Sequence, residues 1–196
     1  MPAPWTARCE IVDFGRDLPT PMGGPSQRIG RLGARCRVTF STLPALAATA
    51  ARGIQAVRAK ARANGLTLVF VWPQAPYTAA LGAPVVSGAG QQGSRLTIGG
   101  LTPGAVLDAA TFFSFVSPAS GGRTYLHALT AAATAAGDGT ATLSIAPMLR
   151  CKPAAGVALN FATPAIEGYV QGQTETFGLQ MRAWSSQPSF SVMEAA

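Results

Sequence analysis

Charge is what this 196-residue chain has least of. Lys, Arg, Asp and Glu together make up 12% of it, about half the share of a typical free globular domain. Apolar residues are 48%, so the shortage is not that of a disordered or fibrous chain. A surface poor in ions suggests that part of it is covered by other subunits, because interface cores are depleted in charge. Histidine occurs once, as His127, and cysteine three times, as Cys9, Cys36 and Cys151. Such a set cannot supply the paired ligand spacing of a structural zinc site. An odd number of cysteines, far apart in sequence, is poor ground for a disulfide framework and matches a protein made in a reducing cytosol. The eight carboxylates never cluster as D-x-D or E-x-x-E, so calcium, magnesium and a paired-carboxylate glycosidase site have no support. No apolar run reaches the length of about 20 residues that a membrane span needs. The alanine-rich tract from Pro44 to Ala63 is broken by Arg52, Arg58, Lys60 and Arg62. The opening "MPAPWTARCE" has no basic start followed by an apolar core and is not expected to act as a secretory signal.

What charge there is lies at one end. Residues 1–65 hold ten of the fifteen cations and only Glu10, Asp13 and Asp17 against them, a net +7. Residues 66–196 hold five of each sign, so the net charge of the whole chain belongs to its first third. Thirteen of the fifteen cations are arginine, the side chain suited to fixed multidentate contacts. An acidic protein surface and a nucleic acid are both possible partners for such a segment.

The local patterns predict an α+β chain that is mostly β. Residues 5–14 alternate weakly and run into "GRDLPTPMGGPSQRIGRLG", an irregular basic arm in which regular helix or sheet is not expected. "RCRVTFSTL", Arg35 to Leu43, alternates as a half-buried strand. Thr42 is a candidate helix cap and Pro44 suits the first turn. The helix is expected to reach about Ala63 and to stop at Asn64 and Gly65. Its apolar stripe is expected at Leu46, Ala50, Ile54, Val57 and Ala61, with Arg52, Arg58 and Arg62 well away from it. "LTLVFVWPQ" then reads as a buried strand, giving strand–helix–strand. Beyond Pro76 short alternating runs follow with turn signals between them: 84–86, 95–98, 111–116, 124–130, 141–145, 157–161, 168–170, 177–182 and 190–193. Runs of this length and spacing predict a β-sandwich or small β-barrel. The expected division is residues 1–80 for the arm and strand–helix–strand unit and 81–196 for the β-rich portion, packed together as one compact subunit.

No motif with chemistry survives scrutiny. "GAGQQG", Gly88 to Gly93, matches G-x-G-x-x-G, but a strand-like run follows it where a nucleotide site needs a helix. It reads as a loop between two strands. His127 lies in the strand-like "RTYLHALT" with no carboxylate near it in sequence and no G-x-S-x-G anywhere. It reads as a packed or hydrogen-bonded sheet histidine. Phe113 and Phe115 share one strand face and Phe112 opposes them, the pattern of a sheet packed on both sides. No catalytic, cofactor-binding or metal residue is expected, and the chain does not read as an enzyme.

The strings "PMGGPSQRIGRLGARCRVTFSTLPAL", then a helix, then "FVWPQ", resemble the N-terminal part of a family of tail proteins from long-tailed bacteriophages. "GAPVVSGAGQQGSRLTIGGLTPG", "FFSFVSPASGGRTYLHALTA", "GDGTATLSIAPMLR", "FATPAIEGYV" and a closing "SFSVMEA" are similar to the same family, over about residues 20–194. The resemblance implies a distal-tail or baseplate ring protein of the siphovirus type. It implies a structural virion component at the distal end of the tail, made in the host cytoplasm. Six copies would form a ring between the tail tube and the hub or fibre assembly. Its partners would be copies of itself, the tail tube protein and the distal hub or tip proteins, with no membrane and at most passing contact with DNA. Family relatives that bind host surfaces carry extra domains for which this chain has no room, so receptor binding is not expected.

Within that reading the candidate interface residues are Arg16, Arg28, Arg31 and Arg35 in the basic arm and Arg52, Arg58 and Arg62 along the helix. Their expected role is ion pairing with acidic neighbours. A channel-facing role is less favoured because a basic lining would slow a passing polyanion. The other readings are a tail terminator or hub subunit, a non-catalytic carbohydrate-binding β-module and a nucleic-acid-binding domain. The carbohydrate module accounts for sheet and aromatics but not for the basic arm. The nucleic-acid domain accounts for the arm, but no aromatics are interleaved with its cations.

Overall fold

The computed structural model describes residues 6–19, 23–24, 26–29, 33–41, 48–74, 80–172 and 189–195. In chain order the elements are β1 (Thr6–Val12), β2 (Arg16–Leu18), β3 (Gln27–Ile29), β4 (Arg35–Ser41), α1 (Ala48–Ala63) and β5 (Leu68–Val71). There follow β6 (Gly82–Val86), β7 (Gly93–Leu101), β8 (Val106–Leu107), β9 (Phe112–Ser117) and β10 (Arg123–Leu129). The last are β11 (Ala133–Thr134), β12 (Ala141–Leu149), β13 (Leu159–Asn160), β14 (Ala165–Val170) and β15 (Phe190–Glu194). The chain is α+β and mostly β, as its alternation predicts.

Two antiparallel sheets dominate. One is six-stranded, in the order β13-β9-β10-β12-β7-β6. Its two ends meet, since Val85 bridges Ala158 and Val86 exchanges backbone hydrogen bonds with Gly156 and Val157 at 2.9 Å. The sheet thereby curls into a nearly closed barrel, which removes most of its free edge. Alternate residues fill the inside: Leu96 and Ile98, Phe113 and Phe115, Tyr125 and Leu129, Leu143 and Ile145. The second sheet is five-stranded, β1-β4-β15-β14-β5. Its buried face, with Cys36, Val38, Phe40, Phe70, Ile166 and Val192, forms a second core that includes Leu126 from β10 and partly buried Phe112. Phe112 thus faces one core and packs on Trp72 at 4.5 Å, while Phe113 and Phe115 face the other. The two-sided packing read from "FFSF" is what the structure has.

Gly168 shows how closely β14 and β15 approach, because a Cβ there would collide with Met193 O. The stop after α1 is a Schellman motif: Leu66 N–H bonds Ala61 O at 2.8 Å and Gly65 N–H bonds Arg62 O at 3.3 Å. Gly65 takes the left-handed conformation, with φ +62°, that this motif needs.

Four expectations change. The stretch expected to be irregular holds a short hairpin, β2 with β3, pairing Arg16 with Ile29 and Leu18 with Gln27. It follows the β1–β4 hairpin at Val12↔Arg35 and extends it. The boundary at residue 80 does not divide the sheets, because β14 and β15 complete the sheet begun by β1, β4 and β5. The strand–helix–strand order holds as β4, α1 and β5, but β5, expected as a buried strand, leaves Val69 and Val71 exposed, and β15 and β14 lie between it and β4. The helix face shifts in part: Ala61 is buried as expected, but Gln55 and Arg58 are buried too, Val57 is 38% exposed, and the side chains of Ala50 and Ile54 lie outside the described residues. The aliphatic stem of Arg58 accounts for its burial, since it carries the guanidinium inward over the Phe190 ring, 4.3 Å from its centroid. Thr42, Pro44, Leu46 and the strand expected at 177–182 lie outside the described residues.

Candidate interaction surface

A polar joint fastens the two sheets. β10 pairs with β12 only at Ala128↔Ala146 and Leu129↔Ile145. Earlier in β10, two backbone N–H groups go to carboxylates of the other sheet. Thr124 N–H donates to Glu167 Oε2 at 2.9 Å and Leu126 N–H to Glu194 Oε1 at 3.0 Å. Glu167 also accepts from Thr67 Oγ1 at 2.8 Å. Glu194, 1% exposed, further accepts from Cys36 N–H at 3.3 Å and lies 2.9 Å from Arg150 Nη2. Arg150 in turn donates to Ala195 O at 2.8 Å and sits over the Tyr125 ring. Burial pushes the Glu194 carboxyl above its ordinary value, and Arg150 and the two N–H donors pull against that. These contacts join strands of the two sheets to each other.

His127 sits between the rings of Phe115, at 5.5 Å and nearly parallel, and Phe113, at 5.7 Å. Its Nδ1 is 2.9 Å from Pro147 O. Burial first, and the Arg150 charge with it, lower its pKa to about 4 against the opposing pull of Pro147 O. At neutral pH the ring is uncharged and packed. The "GAGQQG" segment is the loop joining β6 to β7, closed by the Gln91 amide, which donates to Thr97 O at 2.9 Å and Ser87 O at 2.6 Å.

The seven candidate arginines fall into different situations. Arg16 is exposed on β2. Arg28 lies on β3 and Arg52 on α1, but their side chains, and all of Arg31, lie outside the described residues. Arg35 is half-buried, with its guanidinium 5.4 Å from the Phe14 ring centroid. Arg62 donates to Gln171 O at 3.1 Å. Arg58 is 4% exposed and is committed to the interior. The structure also brings Arg35 beside Arg150 and Lys152 around an open cleft of about 660 Å³. Sequence reading missed that grouping because Arg35 lies more than a hundred residues from the other two.

The exposed apolar side chains are arranged by strand register. Val69 and Val71 on β5 stand 55% and 48% exposed, on the face opposite buried Phe70. Tyr169 of β14, 41% exposed, projects from that same outer face. Among the described residues β5 is one edge of the five-stranded sheet and β1 the other. At the β1 side Ile11, Phe14, Leu18 and Ile29 are all more than 40% exposed, the last two on the small hairpin. Edge strands usually carry charge, proline or a bulge against unwanted pairing, and "LVFV" carries no charge and no proline. Single exposed valines elsewhere, such as Val116, are ordinary. Among the described residues no helix is long and apolar enough to cross a membrane, and no three metal-ligating side chains gather. No model of a known protein family matches the chain, and no curated protein matches it either.

Proposed function

We propose that this chain is a non-enzymatic structural subunit of a bacteriophage tail tip. It assembles with copies of itself into a ring, of six subunits on the family resemblance, that joins the tail tube to the distal hub or fibre assembly. The observation that carries the reading is the pair of exposed apolar surfaces at opposite edges of one sheet: Val69 and Val71 at β5, and Ile11 with the β2–β3 hairpin at β1. A closed ring is built from head-to-tail contacts, in which one patch of each subunit meets a different patch of the next. The projecting hairpin, with Arg16 exposed beside Leu18, supplies a reaching arm. The scarcity of charge supports the same reading, since each such contact would bury on the order of 2,000 Å² with an apolar centre. Electron microscopy of phage tails carrying a gold-labelled tag on this protein tests it. Label confined to the distal end of the tail supports the proposal; label along the tube, at the head-proximal end, or absent from the virion overturns it.

A further inference from the structure

The second observation concerns two thiols and does not depend on ring assembly. Cys9 and Cys36 lie on neighbouring strands, with Cys9 opposite Val38 and Cys36 opposite Ile11. They are therefore diagonal neighbours on the face turned toward β10. Both are free thiols, and their Sγ atoms are 3.6 Å apart. A disulfide needs about 2.05 Å, so closure requires a movement of about 1.5 Å. Among the described residues β1 has a strand partner on one side only, so a local shift there displaces no second strand. Cys36 is buried and its Sγ also contacts Leu126 O at 3.4 Å, whereas Cys9 is only half-buried. The hydrogen bond with Cys36 holds the Cys9 thiol below its ordinary value. That same contact, and then burial, push Cys36 well above its own. One sulfur is thus the accessible nucleophile and the other the partner that keeps its proton.

We propose that Cys9 and Cys36 form a peroxide-oxidisable dithiol that closes reversibly into a disulfide, locking β1 and its hairpin arm to β4. The Cys9 thiolate attacks one oxygen of hydrogen peroxide. The O–O bond breaks, Cys9 becomes a sulfenic acid, and the departing oxygen takes a proton and leaves as water. Cys36 sulfur then attacks Cys9 sulfur: the S–S bond forms, the S–O bond breaks, and the Cys36 proton leaves with the hydroxide as a second water. Two electrons pass from the thiol pair to the peroxide. A small thiol of the glutathione class reverses the step by exchange, readily so because the bond holds β1 away from its relaxed position.

The test treats the full chain with hydrogen peroxide, blocks remaining thiols with a maleimide under unfolding conditions, and digests without reductant for mass spectrometry. The expected result is a Cys9–Cys36 linked peptide, loss of two hydrogens, Cys151 as the sole thiol blocked, and recovery of all three after dithiothreitol. Cys151→Ser is expected to keep the link and Cys9→Ser to lose it. Amide exchange across β1 is expected to slow in the oxidised chain. A link to Cys151 or between chains would overturn the proposal, as would Cys9 oxidised to sulfinic acid with Cys36 still free. Unchanged exchange in β1 would overturn the locking role.

Discussion

Glu194 and Arg150 meet at 2.9 Å in a nearly dry joint, the carboxylate 1% and the guanidinium side chain 11% exposed. One end of this pair closes β15 and the other follows β12 of the barrel, so the contact ties the second sheet to the first. Removing one member of a buried pair leaves the other charge without compensation. Arg150→Met is expected to cost about 3 kcal/mol or more, measured by urea unfolding at pH 7.

The same carboxyl sets a pH dependence. Its folded pKa is raised above the ordinary 4.5, chiefly by burial. The folded state therefore holds a proton that the unfolded state has already lost, and stability falls as pH rises from 4.5 through the raised value. Glu194→Gln removes this slope. The difference in unfolding free energy between the native chain and the variant, followed upward from pH 4, is expected to shift in favour of the variant. A difference that is flat, or that shifts toward the native chain, would contradict the assignment.

His127 acts in the opposite direction. Its folded pKa is lowered from 6.5 to about 4 by burial, so between those values the unfolded state takes up a proton that the folded state refuses. Stability is whole above 6.5 and is lost as pH falls toward 4, by about 3 kcal/mol in total. Proton NMR of the His127 ring is expected to show no titration between pH 8 and 5. A midpoint near 6.5 would place the ring in solvent.

Gly168→Ala drives a methyl group into Met193 O, where neither backbone can yield without parting β14 from β15. The expected outcome is loss of about 3 kcal/mol or more, seen as a fall in Tm or as failure to fold. A variant as stable as the parent would show that the strands separate more easily than their pairing implies.

The arginines divide by experiment as they divide by position. Arg58→Ala is expected to lower the stability of the chain by about 2 kcal/mol through lost packing on Phe190. Arg16→Glu is expected to leave stability within about 0.5 kcal/mol and to act only on assembly. Thermal unfolding of the two variants side by side checks this.

Much of the sheet was legible because alternation is written locally. Arg35–Ser41 buries every second residue, and Phe112 against Phe113 already implies cover on two sides. The stop at Asn64 and Gly65 was legible for the same reason. What could not be read depends on how distant strands register. Glu167 and Glu194 look like ordinary strand carboxylates until β10 is placed beside them. Cys9 and Cys36 are 27 positions apart and meet only through the β1–β4 pairing. The burial of Arg58 was not legible because arginine counts as polar in any periodicity, although its stem is apolar. The β2–β3 hairpin was missed because three-residue strands among glycines and prolines carry no measurable period. The exposed valines of β5 were visible as a buried-looking run, but a sequence does not say which strand lies at the edge.

Sedimentation velocity of the purified chain over a concentration series tests the central claim most directly. The account predicts a closed assembly of defined size, about six times the 20.0 kDa of one subunit, and its loss in Val71→Lys while the variant remains folded. A single 20.0 kDa species at every concentration, the same for parent and variant, would contradict it.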